Sequence, residues 1–252
     1  MIKVLKARLK QGYRTKAFSP ETIEMPARFL GVPVIDAAKC AGNCQKCLDA
    51  CPVKCIAKKG DSVSIDLGKC IFCGNCAKIC TEPKIKFTKD YSLSARKRED
   101  LLVSAENKLL KCLPDKEITK IFGRSLKLRQ VSAGGCNACE ADINVLNTLV
   151  WDLGRFGVQF VASPRHADGI LVTGPVTHNM LLALKKTYEA IPAPKIVIAT
   201  GACAISGGIY GDNAETCKGV DSILPVDLYI PGCPPHPATI LDGILRLLGK
   251  VR

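Results

Sequence analysis

Cysteines carry the chemistry of this sequence: there are 15 in 252 residues. Eight stand in two tight runs. The first, CAGNCQKCLDACP, holds Cys40, Cys44, Cys47 and Cys51, and the second, CIFCGNCAKIC, holds Cys70, Cys73, Cys76 and Cys80. The second run has the C-x2-C-x2-C-x3-C spacing of iron–sulfur ligation. Its short gaps let one loop wrap three thiolates around one face of a cubane, and the longer gap sends the fourth toward a neighbouring cluster. The first run has three residues rather than two between Cys40 and Cys44, and Cys55 is near enough in sequence to substitute there. Later come GGCNACE with Cys136 and Cys139, GACAISGG with Cys203, and PGCPPHP with Cys233. Four thiolates from three loops suit one further 4Fe-4S cubane. The adjoining glycines permit close backbone approach and supply N–H groups to its sulfides.

Two other chemistries share parts of this pattern. Cys40-x3-Cys44-x2-Cys47 is also the radical S-adenosylmethionine spacing, but that fold needs a barrel of parallel strands around the motif. Paired CxxC motifs also bind zinc, yet zinc sites rarely interleave eight cysteines. There is no nucleophile–base constellation, and no Gly-Lys-Ser/Thr phosphate loop. Aromatic residues are 5% of the chain. No basic–aromatic interleaving marks a nucleic-acid partner.

The elements that must position these thiols follow from periodicity. Short apolar runs predict strands at 125–132, 157–161, 168–173, 195–200 and 226–230. Helical patterns fall at 139–150, 177–190 and 236–249. This alternation predicts an α/β domain with a parallel sheet covered on both faces. Cys136, Cys203 and Cys233 then follow strand ends, where open α/β sheets gather ligands. Ahead of that domain lie a basic leader (1–36), a cysteine-rich segment (37–91) and a charged segment with helical spacing (92–123). The leader places Ile2, Leu5 and Leu9 on one face of a short helix and Lys3, Lys6 and Lys10 opposite. Such a helix suits a membrane surface or a partner, or packs on its own domain.

Net charge is +13, and all of the excess is in the first half: residues 1–130 hold 27 Lys and Arg against 13 Asp and Glu. A basic half suits an acidic partner or an anionic membrane, or serves as a solvated face. No apolar run approaches the roughly 18 residues that span a bilayer. The N-terminus shows neither a signal core nor a twin-arginine pair, so the expected location is cytoplasmic, where thiols stay reduced and bind metal.

The motifs carry family resemblances. Residues 37–91 resemble a bacterial two-cluster ferredoxin, with Thr81 where proline is usual and the proline at Pro83. That resemblance implies one 4Fe-4S cluster on Cys40, Cys44, Cys47 and Cys80, and another on Cys70, Cys73, Cys76 and Cys51. Residues 124–250, through SPRHADGILVTGPVT, ATGACAISGGIYGD and PVDLYIPGCPPHP, resemble the small subunit of nickel–iron hydrogenases and its relative, the 20 kDa-type subunit of complex I. The resemblance implies a flavodoxin-like fold and a third 4Fe-4S cluster on Cys136, Cys139, Cys203 and Cys233. The CNAC pair looks like the hydrogenase side, since complex I proteins usually carry adjacent cysteines there. The whole resembles a fusion of a ferredoxin-like subunit with a short energy-converting, formate hydrogenlyase-like small subunit.

The implied function is electron transfer through three 4Fe-4S clusters, peripheral on the inner face of the cell membrane. The implied partners are a hydrogenase or complex I-like large subunit, membrane subunits, and an acidic ferredoxin or other donor protein; the alternative is a complex I-like or nickel-free relative. Cys55, Cys112 and Cys217 fall outside these ligand sets. Glu140 is expected to cap its helix or to act between cluster and partner. His166 is expected to hydrogen-bond within its domain or to meet the large subunit. His236 is expected to pack at a helix start or to donate to a sulfide. Lys84, Lys86 and Lys89 are expected to form a docking patch beside Cys80.

Overall fold

The computed structural model describes residues 2–19, 23–36, 44–60, 62–81, 84–109 and 112–251. Helix α1 (Ile2–Gln11) leads to strand β1 (Pro33–Ile35), helix α2 (Lys46–Asp49), strands β2 (Ile56–Lys59) and β3 (Ser62–Asp66), and helix α3 (Asn75–Ile79). Strands β4 (Ile85–Phe87) and β5 (Leu102–Ser104) and helix α4 (Lys116–Phe122) follow. The second half runs β6 (Leu126–Ser132), α5 (Ala138–Val145), β7 (Val158–Phe160), β8 (Gly169–Thr173) and α6 (His178–Ala190). It ends with β9 (Ile196–Thr200), α7 (Ala202–Ser206), β10 (Leu228–Ile230) and α8 (Pro237–Leu247).

Strands β6 to β10 form one parallel sheet in the order β10-β9-β8-β6-β7. Counted within the sheet this is 2-1-3-4-5, the flavodoxin-like order, whose direction reverses between β6 and β8. Both β8 and β9 are buried at all five positions, as central strands covered on two faces must be. The α/β fold expected from the alternation of patterns is the one observed. Helix α8 is buried along its whole length. It accommodates two charges by pairing them, Arg246 Nε donating to Asp242 Oδ2 at 2.8 Å.

The first half is built of small antiparallel pieces. Strand β1 pairs with β4, and β2-β3-β5 forms a three-stranded sheet. One apolar core continues from these sheets into the parallel sheet, joining Ile65, Leu67 and Val103 to Val131, Ile170 and Tyr229.

Among the described residues the helical pattern over 92–123 is realised as α4 and as a single 3-10 turn at Arg98–Leu101. Upstream, Leu102–Ser104 is a strand because it pairs with β3 and buries Val103. Ala95 exchanges backbone hydrogen bonds with Tyr229 at 3.0 and 2.8 Å, which extends the chain there. Arg98 donates twice to the Asp66 carboxylate, at 2.8 and 2.6 Å, clamping the end of β3. Long-range pairing overrides the local period. The helix expected over 139–150 also ends earlier, at Val145.

Helix α1 buries no residue. Leu5 is 60% and Leu9 82% exposed, so helix α1 does not pack on its own domain, whereas Ile23, further along the leader, is buried with Tyr91 and Ala238.

Candidate metal centres

The carboxyl edge of the parallel sheet brings four cysteines together. Cys136 and Cys139 follow β6, with Asn137 between them in a left-handed conformation at φ 72° that turns the chain into α5. Cys203 lies in α7 after β9, and Cys233 follows β10. The β6 and β8 loops approach so closely that a Cβ on Gly174 would stand 2.6 Å from the backbone nitrogen of Gly135. This crossing is the switch point where such sheets bind ligands.

These sulfurs are close enough to act on one another electrostatically. Cys139 is pushed up, first by burial, then by Glu140, Cys203, Cys233 and Cys136. Cys203 is pushed up to about 11 by burial and by Cys233 and Cys136, against the backbone N–H of Ile209. Cys233 is raised by burial and by Cys136 and Cys70. Thiolates gathered this closely repel, and a cationic core among them reverses that penalty. Glycines leave the space: a Cβ on Gly201 would meet Cys139 Sγ at 2.6 Å, and one on Gly208 would meet Cys203 Sγ at 2.9 Å.

Cysteines of the two tight runs line two cavities among the described residues. Cys44, Cys47 and Cys80 line the first, with Ile35, Val63 and Lys84; Cys40 lies outside the described residues. The second is lined by Cys51, Cys55, Cys70, Cys73 and Cys76. Cys80 thus lines a cavity with Cys44 and Cys47 of the first run, and Cys51 lines one with Cys70, Cys73 and Cys76 of the second.

Backbone donors already point at these sulfurs. The N–H of Phe72 reaches Cys70 Sγ at 3.3 Å, with Phe72 left-handed at φ 53°, and the N–H of Cys55 reaches Cys51 Sγ at 3.3 Å. Cys76 is pushed up to about 12 by burial and by Cys70, Cys73 and Cys51. Among the described residues no three His, Cys, Asp or Glu side chains close on a single ion. Thiolates on separate corners of a cubane stand further apart than ligands of one ion. A thiol-only donor set around a cavity, met by N–H groups, fits an iron–sulfur cluster.

The second cavity adjoins the parallel sheet. Ser206 Oγ, at the end of α7, donates to the carbonyl of Gly68 at 2.9 Å, and Ile205 packs on Gly68. Cys70 is close enough to Cys233 to act on it electrostatically. A further cavity touches both Phe72 and the Cys233 loop.

Several single residues stand differently from expectation. Cys55 lies with Cys51 and Cys70, not with Cys44 and Cys47, because the turn after Cys51 folds it back on Cys51 Sγ at 3.4 Å. The signal was its i+4 spacing from Cys51. Glu140 does not cap α5; buried beside Cys139, it accepts from Thr173 Oγ1 of β8 at 2.5 Å. Lys89 is exposed, but its ammonium is held, donating to the carbonyls of Pro26, Ala27 and Phe29 at 3.1, 2.6 and 2.7 Å.

His236 is the N-cap of α8. Its Nδ1 accepts from the Ala238 N–H at 3.1 Å, and Phe29 and Trp151 pack on its ring. This is the helix-start role. Burial and Lys16 hold its pKa below the usual histidine value. His166 is exposed at the end of a short turn. Cys112 is buried in a second apolar core, with Ile118, Phe122 and Leu126, and burial raises it to about 11. Cys217 lies 3.7 Å from His178 Nδ1. Neither Cys112 nor Cys217 reaches the cysteine cavities. Among the described residues no helix is long and apolar enough to cross a membrane.

Comparison with known proteins agrees with this geometry. The family model of the NADH ubiquinone oxidoreductase 20 kDa subunit matches residues 136–247, and that of a 4Fe-4S dicluster domain matches 32–81. A probable membrane-bound hydrogenase subunit, mbhJ of Pyrococcus furiosus, is 46% identical over 135 residues, which cover 54% of this chain and 81% of that protein. Formate hydrogenlyase subunit 7 of Escherichia coli is 46% identical over 132 residues, covering 52% of each chain. An NADH-quinone oxidoreductase subunit of Citrifermentans bemidjiense is 47% identical over 117 residues, covering 46% of this chain and 68% of that one.

Proposed function

The chain belongs to the NADH ubiquinone oxidoreductase 20 kDa subunit family, and from that premise we propose that it is the electron-transfer subunit of a membrane-associated, energy-converting nickel–iron hydrogenase. It is an oxidoreductase component with iron–sulfur ligation. The observation that carries the reading is the succession of three cysteine sets, Cys44/Cys47/Cys80, then Cys51/Cys70/Cys73/Cys76, then Cys136/Cys139/Cys203/Cys233. On this reading Cys40, outside the described residues, is the fourth ligand of the first set. The reading assigns one 4Fe-4S cluster to each. Such a cluster, when bound, takes up and releases single electrons.

The chain's own part is to hold and tune these groups. Thiolates bind, glycines admit the inorganic core, and backbone N–H groups donate to sulfur. The shared apolar core fixes the second and third sets relative to one another. Cys136 and Cys233 are exposed, which suits contact with a large subunit. The hydrogenase reading is supported by the CNAC spacing and by the relatives from hydrogenase complexes. The alternative is a complex I-like or nickel-free complex, favoured by the quinone oxidoreductase relatives.

On this reading residues 1–36 are a basic leader, 37–91 the ferredoxin-like unit, 92–123 the connection and 124–252 the hydrogenase-like unit. The two units are a fusion of subunits. The exposed helix α1 meets anionic lipid or membrane subunits at the inner membrane face, and an acidic ferredoxin docks near Lys84 and Lys86. The test is metal analysis of the complex purified without oxygen. Twelve iron and twelve sulfide per chain with nickel in the partner subunit are expected. Zinc in place of iron refutes the cluster reading, and iron without nickel selects the alternative.

A further inference from the structure

Cys55 is the thiol left over in the second ferredoxin-type cavity once Cys51, Cys70, Cys73 and Cys76 are assigned as ligands. Its sulfur lies 3.4 Å from Cys51 Sγ, it also reaches Cys70, and it is only 7% exposed. The position is tightly determined. The Cys55 N–H donates to Cys51 Sγ, the Cys55 carbonyl accepts from the Asp66 N–H at 2.8 Å, and Lys54 turns the chain at φ 48°.

A thiolate bound to iron carries no proton. With Cys51 and Cys70 both ligating, the proton in the 3.4 Å sulfur–sulfur contact belongs to Cys55. We propose that Cys55 is a positioning and tuning residue whose S–H donates to Cys51 Sγ and raises the reduction potential of the cluster on Cys51, Cys70, Cys73 and Cys76. The proposal rests on that ligand set. A donated hydrogen withdraws charge from the thiolate and so favours the more negative, reduced cluster; hydrogen bonds to sulfur are among the levers that set such potentials. The middle set is thereby made easier to reduce than its four ligands alone make it.

The experiment uses the complex with full-length chain carrying Cys55→Ala, Cys55→Ser or Cys51→Ala. Iron is counted, and each cluster is followed by redox titration with paramagnetic resonance, including samples assembled in D2O. Cys55→Ala is expected to keep all its iron, to lower the midpoint potential of one cluster alone and to lose one exchangeable-proton coupling. Cys55→Ser is expected to restore that coupling and most of the potential. An unchanged potential in Cys55→Ala overturns the proposal. So does loss of four irons in Cys55→Ala where Cys51→Ala keeps them, because Cys55 is then the ligand. If neither alanine variant alters any cluster, the ligand set itself is wrong.

Discussion

Replacing Gly201 by alanine tests the sheet-edge site at its tightest point. Gly201 has φ 89° and ψ 154°, a combination almost confined to glycine, and an L-residue there costs about 1–3 kcal/mol. The added Cβ would also stand 2.6 Å from Cys139 Sγ. Ordinary contact needs roughly 3.5–4 Å, so sulfur and backbone must separate by about 1 Å. Functional groups tolerate only about 0.5 Å of displacement. Gly201→Ala is therefore expected to lose the iron and the paramagnetic signal of one cluster while the other two remain. Gly60→Ala is the control: Gly60 is also left-handed at φ 61°, but a Cβ there has nothing within 4 Å. It should lose about 1–2 kcal/mol of stability and no iron. Iron content by chemical assay and spectra of the reduced complex decide the matter. Full iron with unchanged spectra in Gly201→Ala would refute the idea that this glycine makes room for a ligand thiolate.

Cys80→Ala should damage the cluster of Cys44 and Cys47 rather than that of Cys73 and Cys76, as the lining of the two cavities requires; paramagnetic spectra of the reduced variant identify which is lost. Lys89→Met should lower unfolding stability by about 1 kcal/mol, since it removes three bonds to the 26–29 loop, and should leave the salt dependence of electron uptake unchanged. Neutralising Lys84 and Lys86 should flatten that salt dependence without loss of stability. His236 is held below its ordinary value, so the unfolded chain binds its proton more readily. Its contribution is thus present above about pH 6.5 and fades as pH falls through the lowered folded value. His236→Asn, which keeps an N-cap acceptor, should remove that part of the pH dependence of unfolding. Neutralising Lys3, Lys6, Arg8 and Lys10 should weaken binding to anionic vesicles, which co-sedimentation measures.

Much of the candidate chemistry was legible because it is local. Metal-ligating gaps of two or three residues are dictated by how far one loop can reach around a cluster, so the runs at 40–51 and 70–80 declare themselves. The parallel strands were legible for a similar reason: five buried positions in succession, as in β8 and β9, leave an apolar run that turns and helices punctuate. Gly201 and Gly208 were visible as glycines beside cysteines. Which sulfur each of them clears appears only in the fold.

The sequence by itself determined the kind of donor, the alternation of strand and helix, and the basic first half, because each depends on residue type or on spacing within a few positions. Tertiary structure alone decided where side chains meet across long separations. It put Cys55 beside Cys51 and Cys70. It turned Lys89 onto the carbonyls of the 26–29 loop and Glu140 onto Thr173. It also drew Leu102–Ser104 out of a helical pattern into a sheet, because pairing with β3 satisfies that backbone and buries Val103 together. Backbone hydrogen bonds and apolar burial reward contacts made in space, and a local period yields wherever a distant partner satisfies both at once.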